Sequence, residues 1–116
     1  MSLSAAELQA LKIFAATIKN CQRMQPKFAA GTAQASLLTN RIRALRVITA
    51  LVGQNEARFD AATLAAAVAP IDSIIHKTTT ARAKYAPGTA MYRRLTPMIT
   101  AMTLGQQALR AQLAAE

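Results

Sequence analysis

The sequence is poor in the side chains that carry enzyme chemistry. Its 116 residues include one cysteine, one histidine, five acidic residues and no tryptophan. A zinc site needs three or four ligands, so we predict neither a metal site nor a cofactor. The four glycines stand singly, which excludes a glycine-rich phosphate loop. Because Cys21 has no second cysteine to pair with, it is expected to be a small buried hydrophobe late in the first helix.

Most of the few acidic residues have a predicted structural use. Glu7 and Asp60 stand at helix-capping positions, and another acidic residue ends the sequence. Glu56 falls in a connection, and Asp72 stands four residues before His76, the spacing of a solvated pair on one helix face. Acid–base catalysis needs a group that is free to exchange protons. We therefore predict that the protein is not an enzyme.

Long apolar runs are also absent. Glu7 and Lys12 interrupt the first apolar residues, which argues against a secretory signal. The uncharged stretch at residues 95–109 contains Pro97 and is shorter than the roughly 20 apolar residues that span a bilayer. We expect one cytoplasmic domain over residues 1–116, a common domain size, which can also lie against a membrane surface.

The chain has an excess of positive charge and of alanine. Fourteen Lys and Arg residues against five Asp and Glu residues give a formal net charge of +9. A hydrophobic share of 53% is normal for a folded protein, so the charge does not predict disorder. The 27 alanines favour helices and leave about half of the apolar residues as large side chains for a core.

Capping signals predict where four helices begin and end. Pro26 stops the first helix, because the residue before a proline is disfavoured in the helical conformation. Gly53 is expected to take the left-handed conformation that ends the second helix. The predicted N-caps are Ser4 with Glu7 as its capping-box partner, Thr32, Asp60 and Thr89.

One apolar stripe follows each predicted helix at three- and four-residue steps, and no strand-like alternation occurs. We predict an all-α, antiparallel up-down four-helix bundle with short connections. Pro70 and Pro97 fall inside the third and fourth helices, which should be kinked or split there. The stripes are Leu8, Leu11, Ala15 and Ile18; Leu38, Ile42, Leu45, Ile48 and Val52; Leu64, Val68, Ile71 and Ile75; and Met91, Leu95, Met98, Met102, Leu109 and Leu113.

The predicted bundle gathers its positive charge at one end. In an up-down bundle the first and third connections lie at the same end, together with helix N-termini that favour anions. Cations at the C-terminal ends of the first and third helices are also favoured by the helix dipole alone. For about half of the basic residues at this end, helix capping therefore remains an alternative to anion binding. The basic residues around the two connections are Lys19, Arg23, Lys27, Lys77, Arg82, Lys84, Arg93 and Arg94.

Two arginines fall on the apolar arcs of their helices. Arg41 projects between core positions of the second helix, and Arg82 lies on the stripe of the third. An unpaired buried guanidinium is costly, and the chain has few carboxylates to pair it. Either both side chains extend outward to solvent, or they converge on a bound anion. In the second case Arg41, Arg82 and Arg94 line an anion-binding notch between helices two, three and four, with Tyr85 on its wall.

These features favour a non-enzymatic interaction protein whose basic end binds an acidic partner protein or an anionic membrane surface. Nucleic-acid binding through phosphate contacts and small-anion binding are the alternatives. In size, charge and architecture alone the predicted bundle resembles the bacteriocin immunity proteins, and the resemblance implies protection of a producer cell through a membrane target or receptor complex. The candidate binding residues are Arg41, Arg82, Arg94, Arg93, Lys84, Tyr85, Lys27 and Arg23.

Overall fold

The computed structural model describes residues 2–55 and 58–116, and over these residues the only regular structure is helical. Four α-helices pack against one another, with no strand in the described part of the chain. The predicted all-α class and the number of helices are confirmed. A short 3-10 turn, Gln25–Lys27, follows the first α-helix. The α-helices are α1 Ala5–Met24, α2 Ala33–Val52, α3 Ala61–Arg82 and α4 Ala90–Ala115.

Each α-helix begins at the N-cap that the sequence predicts. The cap oxygens accept hydrogen bonds from the backbone N–H three residues later, at 2.8 to 3.3 Å. The Glu7 carboxylate accepts from the backbone N–H of the first cap at 2.8 Å, which completes the capping box. These bonds satisfy N–H groups that the first turn of a helix leaves unpaired. The confirmed caps are Ser4, Thr32, Asp60 and Thr89.

The end of α2 differs from the prediction by one residue. Gly53 keeps helical backbone angles with φ −73°, and the left-handed residue is Gln54, with φ 56°. The N–H groups of Gln54 and Asn55 bond carbonyls three and five residues earlier, at 3.2 and 2.9 Å. This is the Schellman pattern, in which the left-handed position follows the helix cap. The prediction for Gly53 was wrong because this glycine is itself the cap.

The prolines inside the two later helices do not split them. α3 runs unbroken through Pro70, and α4 runs unbroken through Pro97. Each proline lacks the N–H that would bond the carbonyl four residues earlier, so one helix hydrogen bond is lost while the flanking turns continue. Of the two predicted alternatives, a kink or a split, the split occurs at neither site. α1 ends before Pro26, as predicted.

The hydrophobic core matches the prediction for α2 and differs from it in α1. All five predicted α2 core positions are at most 5% exposed. In α1 the buried residues are Ala10, Phe14 and Cys21, whereas Leu8 is 50% exposed. Leu11 and Ile18 of the predicted stripe are partly buried against the core, but the centre of the buried face is Phe14, which the predicted stripe omits. Met91, predicted to begin the α4 stripe, is also exposed, at 37%.

α2 packs against α4, whereas no Cα atom of α1 lies within 8 Å of a Cα atom of α3, and both of these helices are fully described. A Cβ atom on Gly105 would lie 2.6 Å from Cδ1 of Ile48, so glycine permits this close approach. The Cα trace measures 41 × 41 × 21 Å. α4 alone accounts for one long dimension, at about 1.5 Å per residue. A second dimension of the same length means that the four helices are not all aligned, so the molecule is flatter than four aligned helices would be.

Candidate functional site

The structure leaves almost all of the positive charge at the surface. All fourteen basic residues lie in the described part of the chain, and all except Arg41 and Arg82 are exposed. These two are the arginines that the sequence places on apolar arcs. One ion pair occurs among the described residues, between Nη2 of Arg110 and Oδ2 of Asp72 at 3.9 Å. Within the described residues, an intramolecular ion pair therefore neutralises one of the fourteen basic side chains.

Arg82 is held by two contacts with α4. Its guanidinium carbon lies 4.7 Å from the centre of the Tyr92 ring, and its Nη1 donates to Oγ1 of Thr96 at 3.2 Å. A guanidinium over an aromatic face is attracted by the ring electrons. These contacts give the partly buried cation partners within the chain, so Arg82 needs no bound anion.

The Arg41 guanidinium has no hydrogen-bond partner. Its Nε and Nη2 atoms are fully buried and unbonded. Cys21 of α1 lies nearby: burial raises the pKa of this thiol, and the charge of Arg41 opposes that rise with a smaller effect. The neighbouring sulfur is therefore a neutral thiol at physiological pH and does not balance the guanidinium charge.

The predicted notch of Arg41, Arg82 and Arg94 stays a prediction. The contacts of Arg82 lead to α4, the electrostatic neighbour of Arg41 lies on α1, and Arg94 is exposed. The ring that packs on Arg82 belongs to Tyr92, whereas Tyr85, the predicted wall, is 39% exposed. Sequence reasoning missed Tyr92 because it lies across a connection from Arg82, where no helical spacing relates the two residues.

Five exposed cations flank the α1–α2 and α3–α4 connections. Arg23 lies in the last turn of α1, Lys27 ends the 3-10 turn and Lys84 follows α3. Arg93 and Arg94 lie near the start of α4, whose first turn holds no acidic residue. A cation near a helix C-terminus is favoured by the helix dipole, and a cation near an N-terminus is disfavoured. Folding alone therefore accounts for Arg23 and Lys84 but not for the two arginines of α4.

Exposed apolar side chains accompany these cations. Met24 ends α1, and Leu37 lies in the second turn of α2. Tyr85 lies in the connection before α4, and Met91 lies in the first turn of α4. Their exposed fractions are 44%, 38%, 39% and 37%, in that order. Leu8 is the one other large hydrophobic residue that is exposed in the described part of the chain, and it lies near the start of α1, away from both connections.

The described acidic residues are engaged in structural contacts. The pKa of Glu7 is lowered mainly by a hydrogen bond from the backbone of Ser4 and to a smaller extent by one from its hydroxyl. The pKa of Asp60 is lowered mainly by a hydrogen bond from the side chain of Thr63 and to a smaller extent by one from its backbone. Asp72 accepts from Nε2 of Gln106 at 2.7 Å. The predicted Asp72–His76 pair is not observed, because the partners of Asp72 lie across the α3–α4 interface. Glu56 lies outside the described residues.

The described residues offer no built metal site. Nowhere in residues 2–55 and 58–116 do three or more His, Cys, Asp or Glu side chains group closely enough to hold a metal ion. A surface cavity of about 290 Å³ between α2 and α3 has an alanine-rich floor, with Arg43 and Asp60 among its lining residues.

None of the helices in the described part is long and apolar enough to cross a membrane.

Comparisons with known proteins give this site no precedent. No protein-family model matches the chain, and neither a curated protein nor a solved structure matches it.

Proposed function

We propose that the protein is a non-enzymatic interaction protein that binds an acidic protein surface through one basic end. The basic end consists of the five exposed cations Arg23, Lys27, Lys84, Arg93 and Arg94, with the exposed apolar residues Met24, Leu37, Tyr85 and Met91.

The proposal includes an antiparallel up-down arrangement, which brings the two connections together. Thr17 of α1 contacts the sulfur of Met98 in α4 at 3.8 Å. Beyond this contact α1 continues two turns forward to Met24, and α4 runs two turns back to Met91. The contact of Arg82 with Tyr92 supports a matching return from α3 to α4. Bends at the two internal prolines belong to the same proposal, since each proline removes one helix hydrogen bond.

The main support for the proposal is that exposed cations lie at positions where the helix dipole does not favour them. Arg93 and Arg94 are the fourth and fifth residues of α4, at the end of the helix where the dipole does not favour positive charge. They have no ion-pair partner among the described residues. Exposed cations that the helix dipole does not favour, and that have no ion-pair partner in the described part of the chain, are best explained by a partner outside it. A focused positive potential also speeds association with an acidic surface.

The apolar residues of the basic end favour a protein partner over a membrane. They come from three separate segments, and each is still more than half covered by the rest of the chain. Stable binding at a membrane interface uses one continuous apolar face that enters the lipid. Protein interfaces instead mix apolar and arginine contacts in a compact patch. The resemblance to bacteriocin immunity proteins is one of architecture and adds no residue to this argument.

Two variants of equal net charge test the proposal. Lys84→Gln/Arg93→Gln removes two charges from the basic end, and Arg43→Gln/Arg46→Gln removes two from the exposed face of α2. We expect the first to weaken binding to poly-L-glutamate by at least tenfold at low salt and the second to have a much smaller effect. Fluorescence anisotropy measures the affinities, and circular dichroism checks that both variants fold. Equal loss in the two variants would show that total charge, rather than the basic end, drives binding.

Two further ligands decide between partner classes. Vesicles of phosphatidylcholine and phosphatidylserine in a seven-to-three ratio test the membrane alternative, and a mixed-sequence DNA duplex tests the nucleic-acid alternative. The proposal expects weaker binding to both than to poly-L-glutamate at equal ionic strength. Tighter DNA binding with a steep loss of affinity on added salt would replace the proposal with phosphate recognition.

A further inference from the structure

The strongest anomaly in the molecule is the unbonded guanidinium of Arg41. Nε and Nη2 lie on one edge of the guanidinium, and an N–H bond from each points outward from that edge in parallel. Both atoms are fully buried, and neither has a hydrogen-bond partner. Nη1 makes no hydrogen bond either and is not fully buried, so the group reaches the surface at its tip. The unpaired edge is the one that binds a carboxylate side-on through two hydrogen bonds.

No acidic side chain in the described part of the chain accepts a hydrogen bond from this edge. Glu7 and Asp60 cap helices, and Asp72 bonds Gln106 and pairs with Arg110. Glu116 accepts from Gln112. The nearby Cys21 is neutral because burial raises its pKa. Buried donors in folded proteins are almost always bonded, so an unbonded pair on one cation calls for an explanation beyond folding.

We propose that Arg41 is the residue that binds a carboxylate of the acidic partner, side-on through Nε and Nη2. This inference rests on the proposed function and names the chemistry of the partner's anchoring group. The edge faces the interior in the free protein, so binding includes a turn of the outer side-chain torsions that brings the edge to the surface where Nη1 already lies. The free protein thus holds the edge in apolar surroundings, and the partner replaces those contacts with two charged hydrogen bonds.

The surroundings of Arg41 indicate the kind of acidic group that fits. Leu37 lies one turn earlier on the same face of α2 and is 38% exposed. Because apolar surroundings penalise each added charge, a singly charged carboxylate fits better than a doubly charged phosphate. A Glu or Asp side chain beside an apolar residue that covers Leu37 satisfies both features. Arginine side chains in such partly apolar settings are among the residues that dominate binding energy in interfaces.

The Nε–H signal of Arg41 in a ¹H–¹⁵N NMR spectrum tests the inference directly. A buried Nε–H exchanges slowly with water, so Arg41 should give a sharp signal, identified by its loss in Arg41→Lys. We expect glutarate, added to tens of millimolar against sodium chloride of equal ionic strength, to shift this signal saturably. Arg43→Lys, a matched change of an exposed arginine on the same helix, should leave the shift unchanged.

Each other outcome is decisive. Absence of a slowly exchanging Arg41 signal would show that the edge is not buried, and absence of a shift with glutarate would exclude carboxylate binding. A larger shift with phosphate would overturn the choice of carboxylate. If poly-L-glutamate binds the protein while the Arg41 signal stays fixed, the proposed function stands and this inference fails. If glutarate shifts the signal but poly-L-glutamate does not bind, the inference survives and the basic-end function fails.

Discussion

The two halves of α2 differ in what their core-facing side chains contact. In the second half, Leu45 and Ile48 are completely buried, and Ile48 packs where Gly105 of α4 leaves room for it. The first half also buries Leu38 and Ile42, but it carries in addition the exposed Leu37 and the unbonded edge of Arg41. The second half therefore serves stability alone, whereas the first half contains two positions that stability does not explain.

This difference separates residues that hold the fold from residues that we propose to bind a partner. Close packing around Ile48 leaves no polar group to satisfy. At Arg41, an apolar side chain of similar length would avoid leaving donors without acceptors. We therefore expect substitutions in the two halves to have opposite effects on the free energy of unfolding.

The largest expected effect is in the second half of α2. Ile48→Ala should lower the free energy of unfolding by about 2–5 kcal/mol, because it leaves a cavity at the α2–α4 contact. Leu37→Ala, the matched truncation in the first half, should change it by less than about 1 kcal/mol, because that side chain is 38% exposed. Urea unfolding measures both values. Losses of similar size would remove the contrast between the two halves.

A smaller effect of opposite sign is expected at Arg41. Arg41→Met keeps the length of the side chain and removes the buried donors, so the free energy of unfolding should rise by about 1 kcal/mol. Arg43→Met at an exposed position should change it by less than about 0.5 kcal/mol. Thermal and urea unfolding give the two values. A clear loss of stability in Arg41→Met would mean that the guanidinium supports the fold through contacts that the account does not contain.

Acidification tests the helix caps, which lie outside this contrast. Hydrogen bonds lower the pKa of Glu7 and of Asp60 in the folded protein. Each carboxylate therefore contributes stability above its ordinary pKa, about 4, and loses that contribution as the pH falls through the lowered folded value. The melting temperature should drop as the pH falls below about 4, and Asp60→Asn, which keeps a good N-cap, should reduce the drop. An identical pH profile for Asp60→Asn would exclude Asp60 as a contributor.

The parts of the fold that depend on local sequence were predictable, and the parts that depend on contacts between helices were not. The N-caps Ser4 and Thr89 follow from residues within one turn, so spacing alone identifies them. The partial burial of Arg41 and Arg82 also follows from their position on an apolar arc. The packing of Arg82 on Tyr92 depends on how two helices are placed, which no spacing within one helix encodes.

The same limit explains the error in α1. Leu8 fits a helical stripe, but the buried face is defined by Ala10 and Phe14. α1 carries apolar residues on more than one face, so spacing alone does not tell which face packs against the neighbouring helices. The meeting of Gly105 with Ile48 is a further case, since the glycine gives no hydrophobic signal in the sequence.

Backbone amide shifts during titration with poly-L-glutamate test the central claim most directly. We expect shifts concentrated at residues 23–27, at residues 84–94 and around Arg41, with little change at Arg46, Arg58 and Arg110. These three are also cations, so they report any binding that depends on charge alone. Shifts spread evenly over all the exposed cations, or no shifts at low salt, would contradict the claim that one end of the molecule binds an acidic partner.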